Sequence, residues 1–107
     1  MAEGSERRRF PRHPVVVEID YQSDSPVLRS RLSDLSEGGM FVDTVTPLPQ
    51  GTEIKFRFRP SPKAEEPALV GLGRVAWNQA TVGMGIEFVR FSADGWDRLR
   101  SFLREGP

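Results

Sequence analysis

Between positions 52 and 59 the chain alternates without interruption: Ile54, Phe56 and Phe58 take one phase, and Glu53, Lys55, Arg57 and Arg59 take the other. Successive side chains of an extended chain point to opposite faces, so a half-buried β-strand is the one regular structure that separates these two sets. The same period recurs upstream. Val15, Val17, Ile19 and Tyr21 share a phase, with Val16, Glu18 and Asp20 between them, and this predicts a strand over residues 15–21. Residues 22–26 carry turn chemistry, and residues 27–33 predict a second strand with Arg29 and Arg31 exposed. Residues 39–44 predict a third, short and apolar one. The following Pro47-Leu48-Pro49-Gln50-Gly51 is a loop, because proline cannot donate to a ladder and glycine accepts a positive φ.

After a polar loop with three prolines at 60–67, residues 69–77 and 82–91 predict a hairpin turning around residues 78–81. Gly71, Gly73, Gly83 and Gly85 fall where side chains would crowd a tight bend or a barrel corner. The period then changes. Trp96, Leu99, Phe102 and Leu103 share one helical face opposite Arg98, Arg100 and Arg104, and Ser92 is placed to cap that helix. Six strands followed by one amphipathic helix predict a mainly β fold, a six-stranded antiparallel β-barrel with a C-terminal α-helix packed on it. At 107 residues the chain fits one domain with a real core, expected over residues 7–105 after a disordered tail at 1–6.

Several functional classes are excluded by composition. No cysteine is present, so disulfides, thiolate metal sites and cysteine nucleophiles are ruled out. One histidine is too few for the usual zinc sites. Fifteen basic residues balance fifteen acidic ones, which disfavours nonspecific nucleic-acid binding. No apolar run approaches the roughly 20 residues of a membrane span, and the first residues lack a secretory apolar region, so the expectation is a cytoplasmic protein without membrane insertion. A catalytic constellation is also missing. His13 has no triad partner by spacing, Ser36 lies in Asp-Leu-Ser-Glu-Gly rather than Gly-x-Ser-x-Gly, and Gly83-Met84-Gly85-Ile86 sits within a strand, with no helix directly after it. The chain is therefore expected to be no enzyme and to carry neither a metal nor a cofactor.

Two polar clusters remain. Arg7-Arg8-Arg9-Phe10-Pro11-Arg12 places four guanidinium groups within six residues, and Asp34-Leu35-Ser36-Glu37-Gly38-Gly39 supplies a carboxylate, a hydroxyl and two glycines. Each has a plain reading, the first as a solvated basic end and the second as a turn whose side-chain oxygens bond local backbone. Together they complement a guanine nucleotide. Arginine offers paired donors to phosphate oxygens or to the O6 and N7 edge of guanine, and aspartate accepts from the N–H donors on guanine's other edge.

With Arg8 and Arg12 in an Arg-x-x-x-Arg motif, and Asp34, Ser36 and Gly39 in an Asp-x-Ser-x-x-Gly motif, the chain resembles the PilZ domain, a bacterial receptor module for cyclic di-GMP. Gly73-Arg74-Val75-Ala76-Trp77 and Gly83-Met84-Gly85-Ile86-Glu87-Phe88 resemble the closing strands of that family, and the likeness covers about residues 7–103. The resemblance implies that the arginine segment is a flexible strap folding over cyclic di-GMP against the barrel. Arg8 and Arg12 would bind phosphates and guanine, Asp34 would accept from a guanine base, and Ser36 would bond a phosphate or its neighbouring backbone. Gly38 and Gly39 would admit the ligand closely, Arg7 would hold a second nucleotide, and Trp77 would border the site, with a buried barrel tryptophan as the safer reading for that residue.

The function implied is a receptor and adaptor whose ordered N-terminal segment changes the surface shown to a downstream protein partner. The alternative is a PilZ-type protein–protein adaptor that binds no nucleotide. A small barrel for single-stranded nucleic acid is opposed by Phe56, Phe58, Phe88 and Phe91, which fall mostly at core-phase positions rather than on an exposed platform.

Overall fold

The alternation at 52–59 forms a strand over Glu53–Phe58, with Ile54, Phe56 and Phe58 buried and the charged residues between them exposed. The computed structural model describes residues 11–24, 26–61 and 66–105. The tail expected at 1–6, together with Arg7 and Arg8, lies outside the described residues. In chain order the elements are β1 (Val17–Gln22), β2 (Leu28–Leu35), β3 (Gly39–Asp43), β4 (Glu53–Phe58), β5 (Leu69–Gln79), β6 (Gly83–Phe91) and α1 (Gly95–Glu105). The strands pair antiparallel in the order β1-β2-β3-β6-β5-β4, and β4 returns to β1 to close the barrel. The fold is the mainly β, six-stranded barrel with a C-terminal helix that the periodicity predicts.

The inward phase of every strand feeds one core. Ile19, Tyr21, Leu32, Leu35, Val42, Phe56, Val75, Met84 and Ile86 meet there, and Leu99 enters from α1. Phe56 sits among aromatic neighbours, with the rings of Phe58, Phe88 and Phe91 centred 5.8, 5.5 and 5.4 Å away. Trp96 lies 4.9 Å from Phe91, edge to face, and so joins the helix to the barrel. Each such buried side chain stabilises the fold by about 1.5–3 kcal/mol, which outweighs the exposed ion pairs on the outer face. One of those pairs sets Asp20 of β1 opposite Arg29 of β2. The Arg29 Nε donates to Asp20 Oδ1 at 2.8 Å, and this bond holds the carboxyl below its ordinary range. Among the described residues, no helix is long and apolar enough to cross a membrane.

Strict alternation fails at three places, one of them in β6, where Leu72 pairs with Arg90 and Gly73 with Phe88, so that Val89 is an extra residue. In β2, Leu32 pairs with Val42 and Asp34 with Phe41, so Ser33 is an extra residue and the strand runs on to Leu35, beyond the end expected at 33. In β5, Val75 pairs with Ile86 and Trp77 with Gly85, which makes Ala76 the extra residue. A bulge of this kind reverses the phase of everything after it.

The helix also starts later than Ser92. The Ser92 N–H still donates to the Val70 carbonyl of β5, and Ala93 takes a left-handed φ of 51°. The first i to i−4 bond of the helix then runs from Arg98 N–H to the Asp94 carbonyl, which puts Asp94, not Ser92, at the capping position. Ser92 is thus held by the sheet.

Gly71 tests the tightness of the barrel. A Cβ there would overlap the Arg90 carbonyl oxygen and lie 2.9 Å from Phe56 Cζ. Gly71→Ala is expected to lower stability by about 1–3 kcal/mol in urea unfolding, the usual cost of overpacking a filled core.

Candidate functional site

The bulges at Ser33 and Ala76 act on the same outer surface. Met40 and Val42 of β3 point into the core, so Phe41 between them faces out, and Asp34 is its direct partner across the β2–β3 ladder. Without the extra Ser33, Asp34 would follow Leu32 inward. With it, Leu32 and Leu35 are both fully buried and the carboxylate faces out. The same row continues from Phe41 to Gly85 on β6 and from Gly85 to Trp77 on β5. Trp77 is half-buried on the outer face, its ring centred 5.4 Å from Phe41 at an interplanar angle of 31°. It is not a buried barrel tryptophan. Counting by twos from Val75 would put it inside, and Ala76 is the residue that turns it out. Gly85 leaves room for the indole, since a Cβ there would overlap it. The result is one exterior row, Asp34, Phe41, Gly85 and Trp77, with a carboxylate at one end and two aromatic rings along it.

The arginine segment reaches this row through backbone pairing. The His13 N–H donates to the Leu35 carbonyl at 2.8 Å, and the Leu35 N–H donates to the His13 carbonyl at 3.0 Å. That bridge delivers Arg12 to Asp34, and Arg12 Nη1 donates to Asp34 Oδ2 at 2.6 Å. The two side chains are 40% and 29% exposed, so solvent and a ligand can compete for the pair. Asp34 Oδ1 is buried and has no hydrogen-bond partner among the described residues. Thus two motifs 22 residues apart meet in space.

Ser36 closes the turn between β2 and β3. Its N–H donates to the Gly39 carbonyl at 2.9 Å, and its hydroxyl accepts from the N–H groups of Gly38 and Gly39 at 3.2 and 3.1 Å. The hydroxyl also donates to the Gly39 carbonyl at 3.2 Å. One donor and two acceptor sites are all a hydroxyl has, so the Ser36 Oγ is fully used by its own turn. Of the two partners expected for Ser36, neighbouring backbone is the one it holds. The glycines answer to the barrel as well. The Gly38 carbonyl accepts from the Phe88 N–H at 3.0 Å, and a Cβ on Gly39 would overlap the Ile86 carbonyl oxygen of β6.

Two residues of this region escape motif reasoning. Phe41 sits in an apolar run whose outward phase is legible only once Met40 and Val42 are known to be core. Glu37 accepts from Arg100 Nε of α1 at 2.9 Å, a contact across 63 positions that no local pattern marks.

The turn chemistry generates a direct expectation. Ser36→Ala removes every hydroxyl bond of a residue only 7% exposed, and should lower stability in urea unfolding by about 1–3 kcal/mol. A variant as stable as the parent would show that the hydroxyl does not hold the turn.

The fold has known counterparts. The Bacillus subtilis inhibitor of motility (MotI/DgrA) superimposes with a TM-score of 0.73 at 17% identity, over 92% of this chain and 50% of that protein, so this chain spans half its length. The PilZ domain of Escherichia coli YcgR, solved with cyclic di-GMP, superimposes with a TM-score of 0.68 at 20% identity, over 92% of this chain and 93% of that one. Identities this low establish a common fold and no more. A search of curated protein sequences found no match. The PilZ domain pattern itself matches residues 6–105, nearly the whole chain and both polar motifs with it. On that match, which takes in the barrel, the helix and the Arg12–Asp34 corner alike, the chain belongs to the PilZ domain family.

Proposed function

We propose that the chain is a cytoplasmic cyclic di-GMP receptor module that passes nucleotide binding on to a protein partner. The observation that carries this reading is the contact of Arg12 Nη1 with Asp34 Oδ2 at 2.6 Å, because it brings the arginine motif and the acidic motif to one point on the barrel. The YcgR PilZ domain, of the same fold, was solved with cyclic di-GMP, which supports the choice of ligand. Arg8 and Arg12 bind the phosphates and guanine edges. Asp34 accepts from a guanine base, with Oδ1 as the acceptor that has no bond among the described residues. Trp77, extended by Phe41, offers a flat apolar surface beside that carboxylate for the face of a base. Ser36, Gly38 and Gly39 shape the turn that presents Asp34, and Arg7 holds a second nucleotide.

Magnitudes favour the exchange of partners this requires. An exposed ion pair such as Arg12–Asp34 is worth about 0–1 kcal/mol, whereas a hydrogen bond to a charged group is worth about 1.5–3 kcal/mol. Micromolar binding needs about 8 kcal/mol after the strap has lost its freedom. Two arginines, one aspartate and one stacked base supply about 5.5–12 kcal/mol before that cost is met. Ordering of the N-terminal segment over the barrel then alters the surface that a partner meets, a disorder-to-order switch.

Titration calorimetry with cyclic di-GMP tests the reading. Arg12→Ala should weaken binding by at least about tenfold, or 1.4 kcal/mol. It should move the thermal midpoint of the free protein by no more than about 4 °C, since the lost pair is exposed. Equal affinity in parent and variant would remove Arg12 from the site. A folded parent that takes no cyclic di-GMP, in parallel with GTP and a short oligonucleotide, would leave the nucleotide-free adaptor as the better description.

A further inference from the structure

Each carboxylate of the turn region is tied to an arginine from a different end of the chain. Asp34 is held by Arg12 of the N-terminal segment, and Glu37 by Arg100 of the C-terminal helix. Glu37 lies inside the turn that the Ser36 and Gly39 bonds close, one residue from Ser36 and three from Asp34. Neighbouring Cα atoms are about 3.8 Å apart, so the Glu37 Cα stands within about 11 Å of the Asp34 Cα, roughly one Debye length at 0.1 M salt.

Arg100 is built into place. Its Nε donates to Glu37 Oε1 at 2.9 Å, and its guanidinium carbon lies 5.3 Å from the centre of the Trp96 ring. Trp96 is in turn fixed by Phe88 and Phe91. Its other acidic neighbour, Asp97, is farther away at 3.6 Å, with a side chain 84% exposed and therefore well solvated. Pro11 and His13, which lead the arginine segment onto the barrel, line one groove with Glu37, Arg100, Leu103 and Arg104. The helix and the approach to the proposed site thus share a surface.

We infer that Arg100 is a further determinant of nucleotide affinity, acting through Glu37: it cancels the carboxylate charge beside the binding corner, so that α1 sets the potential that the ligand meets. This rests on the cyclic di-GMP reading above. The ligand carries two phosphodiester groups and is a dianion, so an uncompensated Glu37 repels it and an uncompensated Arg100 attracts it. The Arg100–Glu37 pair is neutral. Removing either member changes affinity in opposite directions, and removing both restores the parent's balance. A purely geometric clasp would behave differently, because breaking it from either side would loosen the same turn.

The test is calorimetric titration of cyclic di-GMP into the full chain and four variants at low ionic strength, with circular dichroism to confirm folding. Arg100→Ala should bind about two- to fivefold more weakly, Glu37→Gln about two- to threefold more tightly, and the double variant within about twofold of the parent. Arg100→Lys keeps the charge and should retain most of the affinity. The differences should collapse near about 0.5 M salt, where screening is strong. If the parent binds and Arg100→Ala binds equally well, or if the double variant is as weak as Arg100→Ala, the inference is overturned while the receptor reading stands. Weaker binding by Glu37→Gln overturns it too, and this arm decides the matter even if Arg100→Ala does not fold. A folded parent that does not bind at all overturns the receptor reading and the inference with it.

Discussion

The outer face of this barrel depends on two single-residue insertions, Ser33 in β2 and Ala76 in β5. A strand buries every second side chain, and an added residue is the least costly way to send the next one to the other face. Ser33 allows Leu32 and Leu35 to fill the core while Asp34, between them, meets solvent and Arg12. Ala76 does the corresponding thing for Trp77, which would otherwise continue the inward series of Val75. A polar end and an aromatic end of one exterior row therefore arise from the same backbone device used twice. The Ser33 side chain is not idle either, since its hydroxyl donates to Asp43 Oδ1 at 2.9 Å across the β2–β3 pair.

The elements read from the sequence are those whose physics is local. Period two marks the strands around Ile19 and Phe56, and the helical phase of Trp96, Leu99, Phe102 and Leu103 matches the face that packs on the core. What the sequence hid is non-local. A bulge looks like the end of a strand, because the alternation stops at Ser33 whether the ladder ends or merely shifts. Trp77 looked internal for the same reason. The late start of α1 follows from a bond between Ser92 and Val70, which no capping pattern records. The meeting of Arg12 with Asp34 was expected from the chemical complement of the two clusters and from the resemblance to a family, but its means was not, since the bridge from His13 to Leu35 is made of backbone atoms.

The parts of the site differ in how firmly they are held. The turn at 36–39 is bonded on itself, hangs from β6 by the Gly38 carbonyl and leaves no room for a side chain at Gly39. The Arg12–Asp34 pair is half-exposed and weakly held by comparison. A self-bonded turn beside an exchangeable charge pair is an arrangement suited to reversible recognition of a charged small molecule.

Closure of the barrel limits the ways in which another chain can pair with it. Among the described residues every strand has two hydrogen-bonded neighbours, so the barrel offers no open sheet edge onto which a visiting chain can add a strand. What the barrel presents outward is its projecting groups: the charged face of β4, the Phe41 and Trp77 rings, the arginines of the helix. Outward positions are then free to vary without disturbing the interior, and a scaffold of this kind can be redirected from one correspondent to another by surface substitutions alone.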